Sequence, residues 1–172
     1  KKTILDCIIK NKLKKVKAVV TSYIGGHVNN YEQIIDLKKK FKFFLIEDSC
    51  HAFGSKYKIK NKNYKIGCAK HSDISTFSFH PLKTITTGEG GLITTNKKKI
   101  FHKIKNLRSH GFIKQQNYWK YNLASNGLNY RMSEINAALG HSQLNKIKKI
   151  LKKRYDIAKR YCLGLKRIKN IR

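Results

Sequence analysis

The sequence predicts an α/β fold with a mostly parallel sheet, and three observations carry that prediction. Residues 17–23 (KAVVTSY) and 43–46 (FFLI) are short β-branched or apolar runs. Between them, residues 31–41 repeat apolar side chains at helical spacing. Strand, helix and strand in that order imply a parallel pair joined by a right-handed crossover. Residues 74–96, ISTFSFHPLKTITTGEGGLITTN, then add two strand-like runs around a loop that holds the only proline, Pro81, and a Gly-Glu-Gly-Gly turn.

Taken in order, residues 3–13 place Ile4, Ile8 and Ile9 on one side at helical spacing, and the lysines that follow close the helix. Residues 17–23 read as a buried strand, and 24–30, with Gly25-Gly26, as a loop. The helix over 31–41 turns Ile34, Ile35 and Leu37 inward and puts Lys38, Lys39 and Lys40 in its last turn, where cations suit the helix dipole. After the strand at 43–46 come Glu47-Asp48 and the small-residue loop SCHAFGS. Residues 56–65 are polar, lysine-rich and hairpin-like.

Strands over 72–79 and 91–95, both expected to be buried, flank the Pro81 loop. A helix over 97–109 has Ile100, Ile104 and Leu107 as its apolar face, and 111–128 reads as a long aromatic-rich loop of the kind that carries function. Ser133 is a good N-cap, with Glu134 in the first turn, for a helix to about residue 144. Residues 147–165 form another, strongly basic helix. Residues 1–144 are therefore expected to be part of one large domain, and 145–172 the start of a second. The chain opens Lys-Lys-Thr, as though within a helix, so a longer parent protein is expected.

The 39 basic residues against 9 acidic ones give a formal charge of +30, which raises the question of nucleic acid. Of those 39, 33 are lysine and 6 arginine, scattered along the chain, whereas groove and phosphate recognition leans on arginine with interleaved aromatics. Lysine, isoleucine and asparagine are abundant together, which points to AT-rich codons as the source of the charge. Cys7, Cys50, Cys68 and Cys162 show no metal-ligand spacing; they suggest a reducing, cytoplasmic setting and no structural metal. No apolar run approaches the length of a membrane span.

Against this lysine-rich background, residues 74–96 hold one lysine, Lys83, and one acid, Glu89. A lone amine on a loop between two strands is where a reactive lysine is expected. Asp48 directly follows an apolar strand, and the carboxyl ends of strands border the ligand crevice of an open α/β sheet. His51, three residues on, could face the same crevice. Ser78, Thr84, Thr86, Thr87 and Gly88 offer hydroxyls and amides to a phosphate. Each also has an ordinary structural reading, as a strand-end acid, a surface histidine or turn residues.

Four segments in order, EDSCHAFGS (47–55), SFHPLKTITTGEGG (78–91), RSHG (108–111) and NYRMSEINAALGHSQL (129–144), resemble the DegT/DnrJ/EryC1/StrS family of sugar-nucleotide aminotransferases. The resemblance implies a pyridoxal-phosphate-dependent transferase of fold type I, whose large domain is an α/β/α sandwich around a mostly parallel mixed sheet. On matched positions it implies Lys83 as the lysine that forms a Schiff base with the cofactor, and Asp48 as partner of the pyridine nitrogen. His51 would lie near the phenolic oxygen and Ser78 on the phosphate. Asn129 would reach the phosphate of a neighbouring subunit in a homodimer, with Arg131 close by as a substrate-phosphate candidate.

Relatives that became dehydratases carry His at the lysine position; Lys83 favours transamination. The implied reaction moves an amino group from glutamate to a 4-keto-6-deoxy nucleotide sugar, most like a UDP-linked N-acetylhexosamine of pseudaminic-acid-type biosynthesis. The RSHG segment carries that narrower likeness. Two other readings remain open: a basic nucleic-acid-binding domain, which requires a clustered cationic face, and an inactive relative or fragment of the family.

Overall fold

The computed structural model describes residues 2–114, 120–166 and 168. Its centre is a four-stranded sheet of β1 (Ala18–Ser22), β2 (Phe44–Asp48), β5 (Ile74–Ser78) and β6 (Gly91–Thr94), in the order β1-β2-β5-β6. The first three run parallel and β6 is antiparallel to β5, so the sheet is mixed and mostly parallel, as expected. Helix α2 (Tyr31–Phe41) makes the crossover from β1 to β2, and hairpin β3 (Lys56–Ile59) and β4 (Lys62–Lys65) precedes β5.

Side chains alternate between the faces of a strand, and the two faces of this sheet differ sharply. Leu45, Ser75 and Phe77 lie on one face and are buried, under Tyr31, Ile34, Ile35 and Leu37 of α2 and Tyr57 of the hairpin. Burying a residue such as Leu45, 0% exposed, contributes roughly 1.5–3 kcal/mol. The opposite face leaves Val20 64%, Phe44 46% and Ile93 47% exposed among the described residues. Strand β6, expected to be buried, is instead an edge strand whose Gly91, Leu92 and Ile93 are exposed. β-Branched composition reports strand tendency, not which neighbour covers the strand.

Helix α1 (Lys2–Lys10) packs Ile4 and Leu5 against the core, while Ile9, expected on that side, is 71% exposed. Helix α3 (Lys98–Arg108) half-buries Ile100, Ile104 and Leu107. The segment 111–128 is not simply a loop: β7 (Phe112–Lys114) and β8 (Tyr121–Leu123) pair antiparallel within it, and its residues 115–119 lie outside the described residues. Helix α4 (Glu134–Asn145) starts as expected, with Ser133 Oγ accepting the Asn136 amide at 3.2 Å. Helix α5 (Ile147–Leu165) follows after the single turn residue Lys146, and its Leu151 packs onto Gly54. No helix among the described residues is long and apolar enough to cross a membrane.

Two buried carboxylates tie the sheet to its surroundings. Glu47, 1% exposed, accepts hydrogen bonds from Tyr31 Oη at 2.7 Å, Ser72 Oγ at 2.9 Å, Tyr23 Oη at 3.3 Å and Ser75 Oγ. Asp73, 2% exposed, pairs with Lys38 at 2.7 Å and Lys97 at 2.5 Å and accepts the Leu45 amide at 2.7 Å.

Candidate functional site

Parallel register sets Ser22 opposite Asp48, and Asp48 opposite Thr76. The three side chains therefore share one face at the carboxyl end of the sheet, and Ser78, two residues beyond Thr76, continues the row. This is the face left open by the described residues. Asp48 Oδ2 accepts from Ser22 Oγ at 3.2 Å, and Oδ1 from the Cys50 amide at 3.2 Å. Hydrogen bonds from the Cys50 thiol first, then from that amide and from Ser22, with the His51 charge nearby, outweigh partial burial and hold the Asp48 carboxyl below its ordinary value. Among the described residues no Lys, Arg or His lies within ion-pair distance of it.

His51 is exposed, and its Nδ1 accepts the Gly25 amide at 3.2 Å, which leaves the ring proton of the neutral form on Nε2. Gly26 stands at φ +77°, where a Cβ would lie 2.7 Å from the His51 carbonyl oxygen, so the turn after β1 and the loop after β2 lie in direct backbone contact.

The Lys83 loop is closed by its own polar groups. Phe79 N donates to Gly90 O at 2.9 Å, while Phe79 O accepts Thr87 N and Thr86 Oγ1, both at 3.0 Å. Thr87 Oγ1 donates to Glu89 O at 2.8 Å and Gly88 N to Thr86 Oγ1 at 2.9 Å. The hydroxyls of Thr86 and Thr87 and the amide of Gly88, read from the sequence as phosphate ligands, are thus engaged in the loop itself. Lys83 N bonds His80 O at 2.9 Å, closing a turn with Pro81 at its second position, where the fixed φ of proline fits.

The Lys83 side chain is half-buried, and among the described residues its amine has no hydrogen-bond or ion-pair partner. Its charge acts on the Cys50 thiol, whose proton is nonetheless held more tightly than usual by burial and by the Asp48 carboxylate. Ser78 Oγ accepts the His80 amide at 3.3 Å, leaving its own proton to donate.

The fourth motif meets the second at the far side of this loop. Asn136 Nδ2 donates to Glu89 O at 3.1 Å, and Gly140 lies against the Thr87 methyl. The third meets the fourth where Ser109 bridges Asn129. The family profile described as the DegT/DnrJ/EryC1/StrS aminotransferase family matches residues 5–172. The chain belongs to that family.

Among its relatives in this family, the UDP-4-amino-4,6-dideoxy-N-acetyl-beta-L-altrosamine transaminase of Campylobacter jejuni is 42% identical over 146 residues, 85% of this chain and 37% of that protein. Of solved DegT/DnrJ/EryC1/StrS-type structures, PseC of Helicobacter pylori, an aminotransferase involved in the biosynthesis of pseudoaminic acid, superposes with a TM-score of 0.80 at 34% identity, over 92% of this chain and 42% of that one. The PLP form of a putative sugar aminotransferase, Spr1654 of Streptococcus pneumoniae, gives 0.72 at 27%, over 88% and 42%. The chain thus spans about two fifths of the length of these relatives.

Of the six residues marked by the sequence, Asp48 and Ser78 lie in one row, and Lys83 and His51 adjoin it through Cys50 and Asp48. Asn129 and Arg131 do not join them: both are exposed, and the Arg131 amide bonds Asn129 Oδ1 at 3.4 Å. Sequence reading gave no role to Ser22 or Thr76, which meet Asp48 only across strands, nor to Cys50, which meets it through the turn two residues on. The one usable signal was strand alternation, which places Ser22 on the face of Asp48 once the register is known.

Proposed function

We propose that this chain carries the cofactor-holding part of a pyridoxal-phosphate-dependent sugar aminotransferase. The observation that carries the reading is the open row at the carboxyl end of the sheet. Among the described residues it offers an ionised carboxylate without an ion-pair partner, a hydroxyl with a proton to give, and beside them an amine without a partner. A protonated ring nitrogen, a phosphate and an aldehyde are their chemical complements.

Pyridoxal phosphate, when bound, supplies the electron sink that lets an amino group pass between donor and acceptor. Asp48 keeps the ring nitrogen protonated. Ser78 would donate to the phosphate, and His51 would lie on the side of the phenolic oxygen. Lys83 is the amine that holds the cofactor covalently. It takes the proton from the α-carbon of glutamate and delivers one to C4 of the 4-keto-6-deoxy sugar. A UDP-linked N-acetylhexosamine of pseudaminic-acid-type biosynthesis is the acceptor that the relatives favour. Asn129 and Arg131, exposed in this chain, are available to the phosphate of a second subunit, so the enzyme works as a homodimer. The four unpaired cysteines suit the cytoplasm. Residues up to 144 belong to the cofactor domain, and α5 begins the next.

Borohydride reduction of the full-length protein with bound pyridoxal phosphate, followed by peptide mapping, tests the reading. A cofactor adduct on the peptide containing Lys83 supports it. An adduct elsewhere, or none, overturns it.

A further inference from the structure

A carboxylate at a strand end has two side-chain torsions and ordinarily swings into water. Asp48 is held from two directions instead. Ser22 stands opposite it in the β1–β2 register, so the ladder itself fixes the hydroxyl that reaches Oδ2 at 3.2 Å. Cys50 lies in a turn that is itself closed, since Ser49 N bonds Thr76 O at 2.9 Å and Ala52 N bonds Ser49 O at 2.8 Å. From that turn Cys50 gives Oδ1 its amide at 3.2 Å, and the thiol of the same residue acts on the carboxylate from beside it. The Thr76 hydroxyl, opposite Asp48 in the β2–β5 register, donates to the Glu47 carbonyl at 3.3 Å. The charged groups facing this cluster are His51, acting on Asp48, and Lys83, acting on Cys50.

We propose that Ser22 and Cys50 are positioning residues that fix the Asp48 carboxylate in one orientation before a cationic ring nitrogen arrives. The proposal deepens the aminotransferase reading and rests on it for the identity of the ligand. Its physical content is preorganisation: a carboxylate already oriented by a donor on each oxygen loses little freedom when it meets its partner. Neither residue touches the ring in this scheme; both act through Asp48. The two donors differ in what removing them leaves behind. Ser22→Ala deletes the only hydrogen bond to Oδ2 among the described residues, whereas Cys50→Ala deletes the thiol and keeps the amide.

The test uses the full-length protein as Ser22→Ala, Cys50→Ala, Cys50→Ser and the Ser22→Ala/Cys50→Ala double variant. Three quantities are read: the Asp48 carboxyl titration in the cofactor-free protein by NMR, the dissociation constant for pyridoxal phosphate by equilibrium dialysis, and the melting temperature. Each alanine variant raises the Asp48 titration midpoint and weakens cofactor binding about five- to tenfold, the scale of one hydrogen bond to a charged group. The double variant does more of both. Cys50→Ser, which keeps a donor, stays close to the unsubstituted protein, and melting changes little throughout.

An Asp48 titration unmoved in the double variant overturns the proposal, as does weaker binding that merely follows a fall in melting temperature. If the unsubstituted protein binds no pyridoxal phosphate, the aminotransferase reading fails. The titration then still decides whether Ser22 and Cys50 hold Asp48.

Discussion

Glu47 and Asp48 are consecutive on β2 and send their carboxylates to opposite faces of the sheet. Glu47 is enclosed by the hydroxyls of Tyr23, Tyr31, Ser72 and Ser75, and Asp48 opens on the row that ends in Ser78. The pleat makes this division unavoidable. Any shift of β2 that disturbs the Glu47 cage also moves Asp48, so the buried face sets the height and register of the open one.

Glu47→Ala leaves several buried hydroxyls without their acceptor. Burial first, then the Glu47 charge, pushes the Tyr31 phenol well above its ordinary value, so that group stays a donor and its loss of partner is uncompensated. The cost is about 3–5 kcal/mol. Glu47→Gln keeps the shape but one acceptor oxygen in place of two, and costs about 2 kcal/mol. Urea unfolding of the full-length protein measures both, and Glu47→Ala must prove clearly the worse.

These carboxylates show what could be read in advance. Helices α2 and α5 lie where the sequence put them because amphipathic periodicity is local to each. The β1–α2–β2 unit followed for the same reason, together with the handedness rule for crossovers. That Asp48 and Ser78 would lie at strand ends, and Lys83 on the loop beyond β5, was legible from the strand pattern and the proline-glycine loop. Ser22 was not, because its meaning lies in a register between strands 26 residues apart, and Cys50 was not, because a two-residue turn to Asp48 leaves no periodic signal. The burial of Glu47 was hidden likewise, since an acid in FLIED looks like the end of the strand until Tyr31 and Ser72 fold over it. The three-residue strands β7 and β8 were too short for any period to show, and on α1 Ile4 meets the core as expected, whereas Leu5 joins it in place of Ile9.

Asp73 makes acid stability testable. Burial alone would disfavour its charge, but hydrogen bonds from Lys38 and Lys97, and from the Leu45 amide, prevail and lower its pKa in the fold. A carboxyl lowered in the folded state stabilises fully above its unfolded value of about 3.9, and that stabilisation disappears as pH falls through the lower folded value. Asp73→Asn therefore costs about 3 kcal/mol near neutrality, the low end for a broken buried pair because both lysines reach water. Its deficit against the unsubstituted protein shrinks as pH drops below about 4. Denaturant unfolding at several pH values follows the convergence; parallel pH profiles would refute it.

On the proposed aminotransferase reading, Lys83→Ala removes the amine that would carry the covalent link and the proton. Transamination by the full-length protein falls at least about 10³-fold, the scale on which an essential group acts. Lys83→Arg restores nothing, because a guanidinium stays protonated throughout the accessible pH range. With the proposed ligands Asp48 and Ser78 still in place, pyridoxal phosphate is expected to bind still, without an attachment that borohydride can fix. Steady-state rates and equilibrium dialysis on the same preparations separate the two effects.

Gly140→Ala sets helix propensity against packing. In the middle of α4 alanine is favoured over glycine by about 1 kcal/mol. At this position, however, the new Cβ would lie 2.6 Å from the Thr87 methyl. Thr87 is 2% exposed, β-branched, and fixed by its hydroxyl on Glu89 O at 2.8 Å, so the methyl has nowhere to turn. Either α4 or the 87–90 turn gives way, for a net loss of about 1–2 kcal/mol. If the turn moves, the hydrogen bond from Asn136 Nδ2 to Glu89 O is strained and the Lys83 loop shifts with it, so cofactor affinity falls beyond what the stability loss explains. Thr87→Ser in the same chain keeps the hydroxyl bond and deletes the methyl. The double variant should recover both stability and affinity, and additive losses in that cycle would rule out the contact as the cause.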